Sequence, residues 1–159
     1  MLTARAFTAA LLTVLVSVPV AAAGGSAAGG ATIARSQAAG AMNSYINKVR
    51  ARHGLRPLRA AAALNGSARR YALTLMRQDA LYHRSRPSAS RRYSRAGEVL
   101  ALHSGSRAQV SATVRQWMAS PSHRAVLLTR SMSDLGAGLA RGRFHGSRAV
   151  IWVVHVGHR

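Results

Sequence analysis

A histidine at a sharp corner is the first feature of this sequence that could do chemistry. An apolar stripe from Val110 to Trp117 has helical spacing and predicts an amphipathic helix. Ser120 and Pro121 then give a helix start signal, because serine can cap the first amides and proline suits the first helical position. His123 follows inside the new helix, and an apolar run after it provides anchorage. This segment therefore predicts an imidazole held at a rigid corner beside the core, with Trp117 buried against a sheet.

Carboxylate chemistry has few candidates in this chain. The only acidic residues are Asp79, Glu98 and Asp134. Glu98 is the single glutamate, and it lies in a short apolar segment, 97–102, that we expect to be buried. Cysteine is absent, which excludes a disulfide framework, a thiolate metal site and a cysteine nucleophile.

The chain is strongly basic. It has 23 Lys and Arg residues, a formal net charge of +20, and only one lysine, Lys48. Two explanations are open: a partner rich in phosphate or carboxylate, which guanidinium groups bind in bidentate fashion, or the codon bias of a high-GC genome. The arginines are spread along the chain, which favours codon bias as the main cause. We still expect weak, salt-sensitive attraction to polyanions, and no sequence-specific binding of nucleic acid.

The N-terminal region is typical of an exported protein. Residues 1–23 resemble a signal peptide, with an arginine near the start, an apolar run and a small-residue cleavage pattern. An uncleaved membrane anchor is the alternative. Residues 24–35 are rich in Gly, Ala and Ser and predict a flexible linker. We expect cleavage near Gly24 and a folded domain at 36–159.

Hydrophobic periodicity predicts helices first and strands last. The expected helices begin near Ser36, near Ala61 and near Ser106, and the expected strands cover 135–140 and 149–156. The two strands should pair as an antiparallel hairpin. Helices followed by a hairpin, without alternation of strand and helix, indicate the α+β class. The Arg-rich stretch 84–95 has no apolar period and predicts an exposed loop.

Four motifs occur in a specific order. They are the opening helix INKVRARHGLRPL at 46–58, the signature WMASPSHR at 117–124, the strand DLGAG at 134–138 and the closing strand WVVHVG at 152–157. Together they resemble the bacterial CAP superfamily, the SCP-like extracellular domains related to cysteine-rich secretory proteins, antigen 5 and plant pathogenesis-related proteins. The resemblance covers about residues 41–157. It implies an α-β-α sandwich with a central antiparallel sheet.

The resemblance also implies a cleft lined by histidines and acids. Matched position by position, the histidine after the second helix is His83, the glutamate of the Gly-Glu-Asn motif is Glu98, and the signature histidine is His123. These three residues come from separate segments, so the fold would have to bring them together.

The chain departs from the family pattern near this cleft. Ser120 stands where eukaryotic members have a second glutamate, and Val99 and Val126 stand where the family has asparagines. Two polar groups have become apolar, which puts shared chemistry in doubt more than shared fold. His155 alternates with valines and is expected to be an ordinary sheet residue.

The three cleft residues allow more than one chemistry. Two imidazoles and one carboxylate are the ligand set of an open zinc site, so His83 and His123, with Glu98, are candidate ligands of zinc or another divalent metal. The alternative is a structural network in which Glu98 fixes the tautomer of a histidine. A hydrolase would use one histidine as base and Ser120 or Ser122 as nucleophile, but serines beside a helix-starting proline more often cap the helix.

The sequence therefore predicts a secreted, monomeric CAP-type domain that acts as a binding module and not as an enzyme. Its expected ligand is a small molecule, a lipid or a cell-wall component. The two alternative functions are a divalent-metal-dependent hydrolase that uses His83, Glu98 and His123, and a basic polyanion-binding protein.

Overall fold

The computed structural model describes residues 27–84 and 92–159, with side chains from residue 34 onward in the first helix. The elements in chain order are α1 Ala27–Arg52, β1 Arg59–Ala60, α2 Ala62–Gln78, β2 Arg95–Ser104, α3 Val110–Ala119, α4 Pro121–Leu127, β3 Asp134–Phe144 and β4 Ser147–His158. The expected hairpin of the last two strands is confirmed, and the segment around Glu98 is a strand.

One four-stranded sheet forms the centre of the fold, with the strand order β1-β3-β4-β2. Strands β2, β4 and β3 pair in antiparallel fashion, as expected. The two-residue strand β1 adds to β3 in parallel at one edge, so the sheet is mixed. The opposite edge is β2. Each of these edges lies beside a cleft.

Helices cover both faces of the sheet and make the predicted α-β-α sandwich. On one face, Trp152 and Val154 of β4 pack with Met42 and Ile46 of α1 and with α3 and α4. On the other face, the alternate residues of β4 pack with α2. Because side chains alternate along a strand, each β4 residue contributes to one apolar layer or the other. Trp117 of α3 is 1% exposed, so its predicted burial is confirmed.

Glycines in β3 allow α2 to lie very close to the sheet. A Cβ atom on Gly136 would stand 2.2 Å from the backbone nitrogen of Asn65, and one on Gly138 would stand 2.1 Å from that of Arg69. The alanines of α2 also allow this close approach, since Ala68 is fully buried. The small-residue strand and the Ala-rich helix therefore form one tightly packed layer.

Helix α1 begins earlier than the sequence predicted. It starts at Ala27, so most of the expected linker 24–35 is helical. Alanine has the highest helix propensity, and the alanines here offset the glycines. The expected signal peptide, 1–23, lies outside the described residues. Within the described residues, no helix combines the length and the apolar character needed to cross a membrane.

Two further boundaries differ from expectation. Helix α3 starts at Val110 instead of Ser106, because the carbonyl of Ser106 accepts a hydrogen bond from Arg141 and that of Ala108 accepts one from Trp152. The Arg-rich stretch 84–95 is not exposed throughout, since Tyr93 is buried against the backbone at Gly157. Residues 85–91 lie outside the described part of the chain.

Candidate functional site

The three predicted cleft residues lie together at the β2 edge of the sheet. His83 follows α2 on one side of the sheet, Glu98 belongs to β2, and His123 belongs to α4 on the other side. A cleft of about 330 Å³ lies between them; its other lining residues are Arg84, Ala96, Gly97, Ser122 and Val126. We call this the His–Glu cleft. Its residues meet because the segment after α2 and the first turn of α4 lie beside the same edge strand, on opposite faces of the sheet.

Glu98 is the centre of a hydrogen-bond network. Its side chain is 5% exposed, and Nδ1 of His83 donates to Oε1 over 3.0 Å. The backbone N–H of Arg84 donates to the same oxygen over 3.3 Å. Nε2 of His155 donates to Oε2 over 2.9 Å. Both carboxylate oxygens are therefore engaged, which meets the requirement that a buried charge be paired.

His155 is the site residue that the sequence interpretation missed. It is fully buried and stands directly opposite Glu98 in the β2–β4 ladder. Nε2 donates to Glu98, and Nδ1 has no hydrogen-bond partner in the described part of the chain. The alternation of residues along β4 alone did not indicate this contact. An alignment of β2 with β4 in the correct register would have placed His155 opposite Glu98.

His123 forms the other wall and does not contact the carboxylate network. Nδ1 of His123 lies 2.9 Å from Oγ of Ser120 and hydrogen-bonds to it. The rings of His83 and His123 are 6.2 Å apart between centroids and tilted by 42°. Burial lowers the pKa of His123 below its ordinary value, and the nearby charge of His83 lowers it further. The His123 imidazole is therefore neutral at pH 7.

The serines at the Ser-Pro corner do not behave as predicted. Ser120 holds the N-cap position of α4 and Pro121 the first helical position, but the Ser120 side chain makes no capping hydrogen bond. Its hydroxyl bonds instead to His123, and it lies 3.3 Å from the hydroxyl of Ser122. The expectation of a capping serine is wrong here because the imidazole one turn later competes for the hydroxyl.

Close packing fixes the position of α4 against β2. A Cβ atom on Gly97 would stand 2.9 Å from Val126, so glycine is needed for α4 to approach the strand. Trp117, just before α4, donates from Nε1 to the carbonyl of Leu100 over 2.8 Å. Arg50 is fully buried, and its Nη1 donates to the carbonyls of Leu127 and, at 3.2 Å, Thr129. These contacts fix the position of α4, which carries His123.

The segment that carries His83 is held by Tyr71 of α2. The Tyr71 hydroxyl donates to the carbonyl of Tyr82, and the guanidinium of Arg84 lies 4.2 Å from the Tyr71 ring centroid. Burial, followed by the charge of Glu98, raises the pKa of Tyr71 to about 12. Tyr71 therefore keeps its proton and remains a donor, which fixes the backbone next to His83.

Sequence comparison decides the family. The family model described as CAP, the cysteine-rich secretory protein family, matches residues 44–156, well over half of the chain. This chain belongs to the CAP family. Comparison with curated proteins finds no match.

Solved structures show the same fold. An outer surface protein of Borrelia burgdorferi matches 74% of this chain and 90% of its own, at 24% identity and a TM-score of 0.60. An SCP-domain extracellular protein of Bacillus anthracis matches 79% of this chain and 41% of its own, at 18% identity and a TM-score of 0.63. Venom allergen-like protein 4 of Schistosoma mansoni matches 76% and 88%, at 13% identity and a TM-score of 0.60.

The His–Glu cleft meets only part of the requirement for a metal. Within the described residues, no three His, Asp or Glu side chains are arranged to hold one ion. Both oxygens of Glu98 already accept hydrogen bonds. His83 and His123 each use Nδ1 for a hydrogen bond within the protein, as metal-binding histidines commonly do. Among the described residues, the cleft therefore offers an ion at most two imidazole ligands, and water would have to supply the others.

Proposed function

We propose that this protein is an extracellular binding module and that the His–Glu cleft is its binding site. Membership of the CAP family supports the class of protein. The signal-peptide pattern at 1–23 supports export, as do the extracellular and outer-surface descriptions of two structural neighbours. The observation that carries the proposal is the geometry around Glu98.

That geometry favours binding over nucleophilic catalysis. A serine hydrolase needs a base beside the serine and a third group that orients the base. Glu98 orients His83 and His155 instead of His123. The imidazole that does contact a serine, His123, has no carboxylate partner among the described residues. The cleft thus presents fixed polar walls, in which the groups needed for hydrolysis are divided between two separate hydrogen-bond networks.

The walls of the cleft favour a polar ligand over an acyl chain. His83, Arg84 and Ser122 offer hydrogen-bonding groups at its surface, and the one carboxylate is already satisfied. The overall charge of +20 favours a ligand with anionic groups. A short glycerol-phosphate oligomer, of the kind found in cell-wall polymers, has this chemistry.

Calorimetric titration with such an oligomer tests the proposal. We expect His123→Ala to weaken binding about tenfold or more, since one hydrogen bond to a charged group is lost. His145→Ala is the matched control, because His145 is exposed and lies at the β3–β4 turn. Equal affinity in wild type and His123→Ala would contradict the proposal. So would binding that every variant loses equally as salt is raised, because that pattern marks diffuse polyanion attraction.

A second candidate is a divalent metal, favoured by the engagement of Nδ1 in both His83 and His123. With two protein ligands in the described structure, affinity for zinc should be modest. Titration with zinc in two buffers of different ionisation enthalpy should show affinity that rises with pH across the histidine range and release of protons on binding. If His123→Ala binds zinc as well as wild type does, the metal lies elsewhere.

A further inference from the structure

The opposite edge of the sheet carries a second cleft, which is separate from the His–Glu cleft. Strand β1 pairs only with Asp134 and Leu135, the first two residues of β3, before the chain turns into α2. Beyond that point the edge of β3 lies at the bottom of a groove of about 380 Å³. The walls are α1 and α2, and Gly138 and Leu139 form part of the floor. We call this the β3-edge groove.

Backbone groups of β3 face into this groove. The N–H of Ala137 donates to Oδ1 of Asn65 on α2 over 2.9 Å, so it points away from β4. Backbone direction alternates along an antiparallel pair, and the next residue that points the same way is Leu139. Among the described strands, none pairs with Leu139 on that side. Leu139 is 3% exposed, so this edge lies on the floor of the groove and is reached through the groove; an edge without a pairing strand is the kind to which an extended chain can add.

A buried acceptor on the α1 wall lacks a partner. Asn43 is 7% exposed and lines the groove, and its Oδ1 has no hydrogen bond within the described residues. A buried amide oxygen is unfavourable unless a ligand or a water donates to it. Because Asn43 lines the groove, its Oδ1 is available to accept a hydrogen bond from a bound ligand.

The groove has a cationic side chain at its rim, and small residues form much of its walls. Arg69 of α2 lines it. Gly40 and Ala39 on α1, with Gly66 on α2, leave room between the helices. A Cβ atom on Gly40 would meet nothing within 4 Å. An occupant with a carboxylate would complement Arg69, and its main chain would match the strand edge.

From these observations we propose that the β3-edge groove binds a short acidic peptide in extended conformation. The peptide continues the pairing that β1 begins, exchanging main-chain hydrogen bonds with β3 at Leu139. It donates a hydrogen bond to Oδ1 of Asn43 and places a carboxylate at Arg69. This is strand addition to a sheet edge, in which main-chain bonds give affinity and side chains give selectivity. The inference is independent of the ligand of the His–Glu cleft.

Titration with the tripeptide N-acetyl-Ala-Ala-Glu, followed by calorimetry, tests the charge contact. We expect Arg69→Gln to weaken binding about tenfold, the effect of losing one hydrogen bond to a charged group. Arg70→Gln removes the same charge from the next residue, which does not line the groove, and should bind as wild type does. Equal weakening by both variants would show general charge attraction and would overturn the proposal.

A second pair of variants tests the groove itself. Gly40→Leu fills the open space on the α1 wall, and Gly40→Ala fills far less of it; both improve helix propensity, so loss of folding is not expected. We expect Gly40→Leu to abolish peptide binding and Gly40→Ala to retain it. Binding that survives Gly40→Leu would overturn the proposal, as would the absence of binding to wild type. A wild-type dimer in ultracentrifugation that Gly40→Leu dissociates would also overturn it, since a second copy would then be the occupant.

Discussion

The two edges of the central sheet differ in the groups that lie beside them. At the β2 edge, side chains from two helical layers close around Glu98, whose carboxylate accepts three hydrogen bonds. At the β3 edge, β1 covers two residues and then leaves, and the backbone beyond faces a groove. One edge is closed by a side-chain network, and at the other the backbone of Leu139 has no pairing strand among the described residues. The comparison suggests ligands of different kinds: small polar groups for the first and an extended peptide for the second.

The β2 edge depends most on Trp117. This side chain is buried between α3 and the sheet and donates to the carbonyl of Leu100. We expect Trp117→Ala to lower the free energy of unfolding by about 3–5 kcal/mol, the usual range for a large core aromatic. Trp117→Phe keeps most of the apolar area, loses the hydrogen bond and should cost less. Chemical denaturation measures both, and an unchanged midpoint for Trp117→Ala would refute this account of the edge.

The β3 edge depends on the close approach of α2. An added Cβ at Gly138 would overlap the backbone of Arg69, which a side-chain movement cannot relieve. We therefore expect Gly138→Ala to lower the free energy of unfolding by about 3 kcal/mol, at the upper end of the usual cost of overpacking. Gly40→Ala is the matched control and should be neutral or stabilising, because its Cβ meets open space. Equal stability of the two variants would show that the layer is looser than described.

Asp134 holds β1 against β3, and its contribution should depend on pH. Burial raises the pKa of this carboxyl, but hydrogen bonds from Arg59 and Ser133 and the charges of Arg59 and Arg159 outweigh burial, and the pKa lies below the ordinary 3.8. Because the unfolded chain then takes up the proton at a higher pH than the folded protein does, the stabilisation is fully present above the ordinary pKa. It is lost as pH falls through the lower folded pKa.

Substitution of Asp134 checks this dependence. At pH 7 we expect Asp134→Asn to cost about 2 kcal/mol, the value of a hydrogen bond to a charged group. As pH falls below the folded pKa of Asp134, the stability of wild type should approach that of the variant. Asp79→Asn removes a half-exposed carboxylate that pairs with His145 over 3.3 Å, and it is the control for the loss of a less buried ion pair. A difference between wild type and Asp134→Asn that stays constant down to acid pH would contradict the assignment.

The smallest expected effect is on the titration of His123. Its pKa is lowered by burial and by the charge of His83, so NMR titration with chelator present should give a midpoint below the ordinary 6.5. His83→Gln removes the charge and should raise the midpoint, which stays below the ordinary value because burial remains. Since the unfolded chain binds the proton first, this residue makes stability rise with pH through the same range. A midpoint at the ordinary value would place His123 in solvent, and one above it would require a carboxylate partner; either would contradict this description.

The sequence predicted the layers better than the contacts between side chains. Hydrophobic periodicity identified the hairpin and α2, because both depend on repeated patterns, whereas the sandwich was implied by the resemblance of four motifs to the CAP family. The contact between Glu98 and His155 was missed, since it depends on the register of strands 57 residues apart in the sequence. The hydroxyl of Ser120 was assigned to the helix cap because local rules do not include the competing His123. The β3 edge lacks a pairing strand at Leu139 because β1 is only two residues long, and a strand of that length has no sequence pattern that predicts it.

The most direct test of two distinct sites is NMR titration of one isotope-labelled sample, first with N-acetyl-Ala-Ala-Glu and then with zinc. The peptide should shift the amide of Leu139 and the side chain of Asn43 and leave His83 and His123 unchanged. Zinc should then affect the two histidines and leave Leu139 unchanged. A peptide response at His83 and Glu98 without one at Leu139 would contradict the account of two edges with separate ligands.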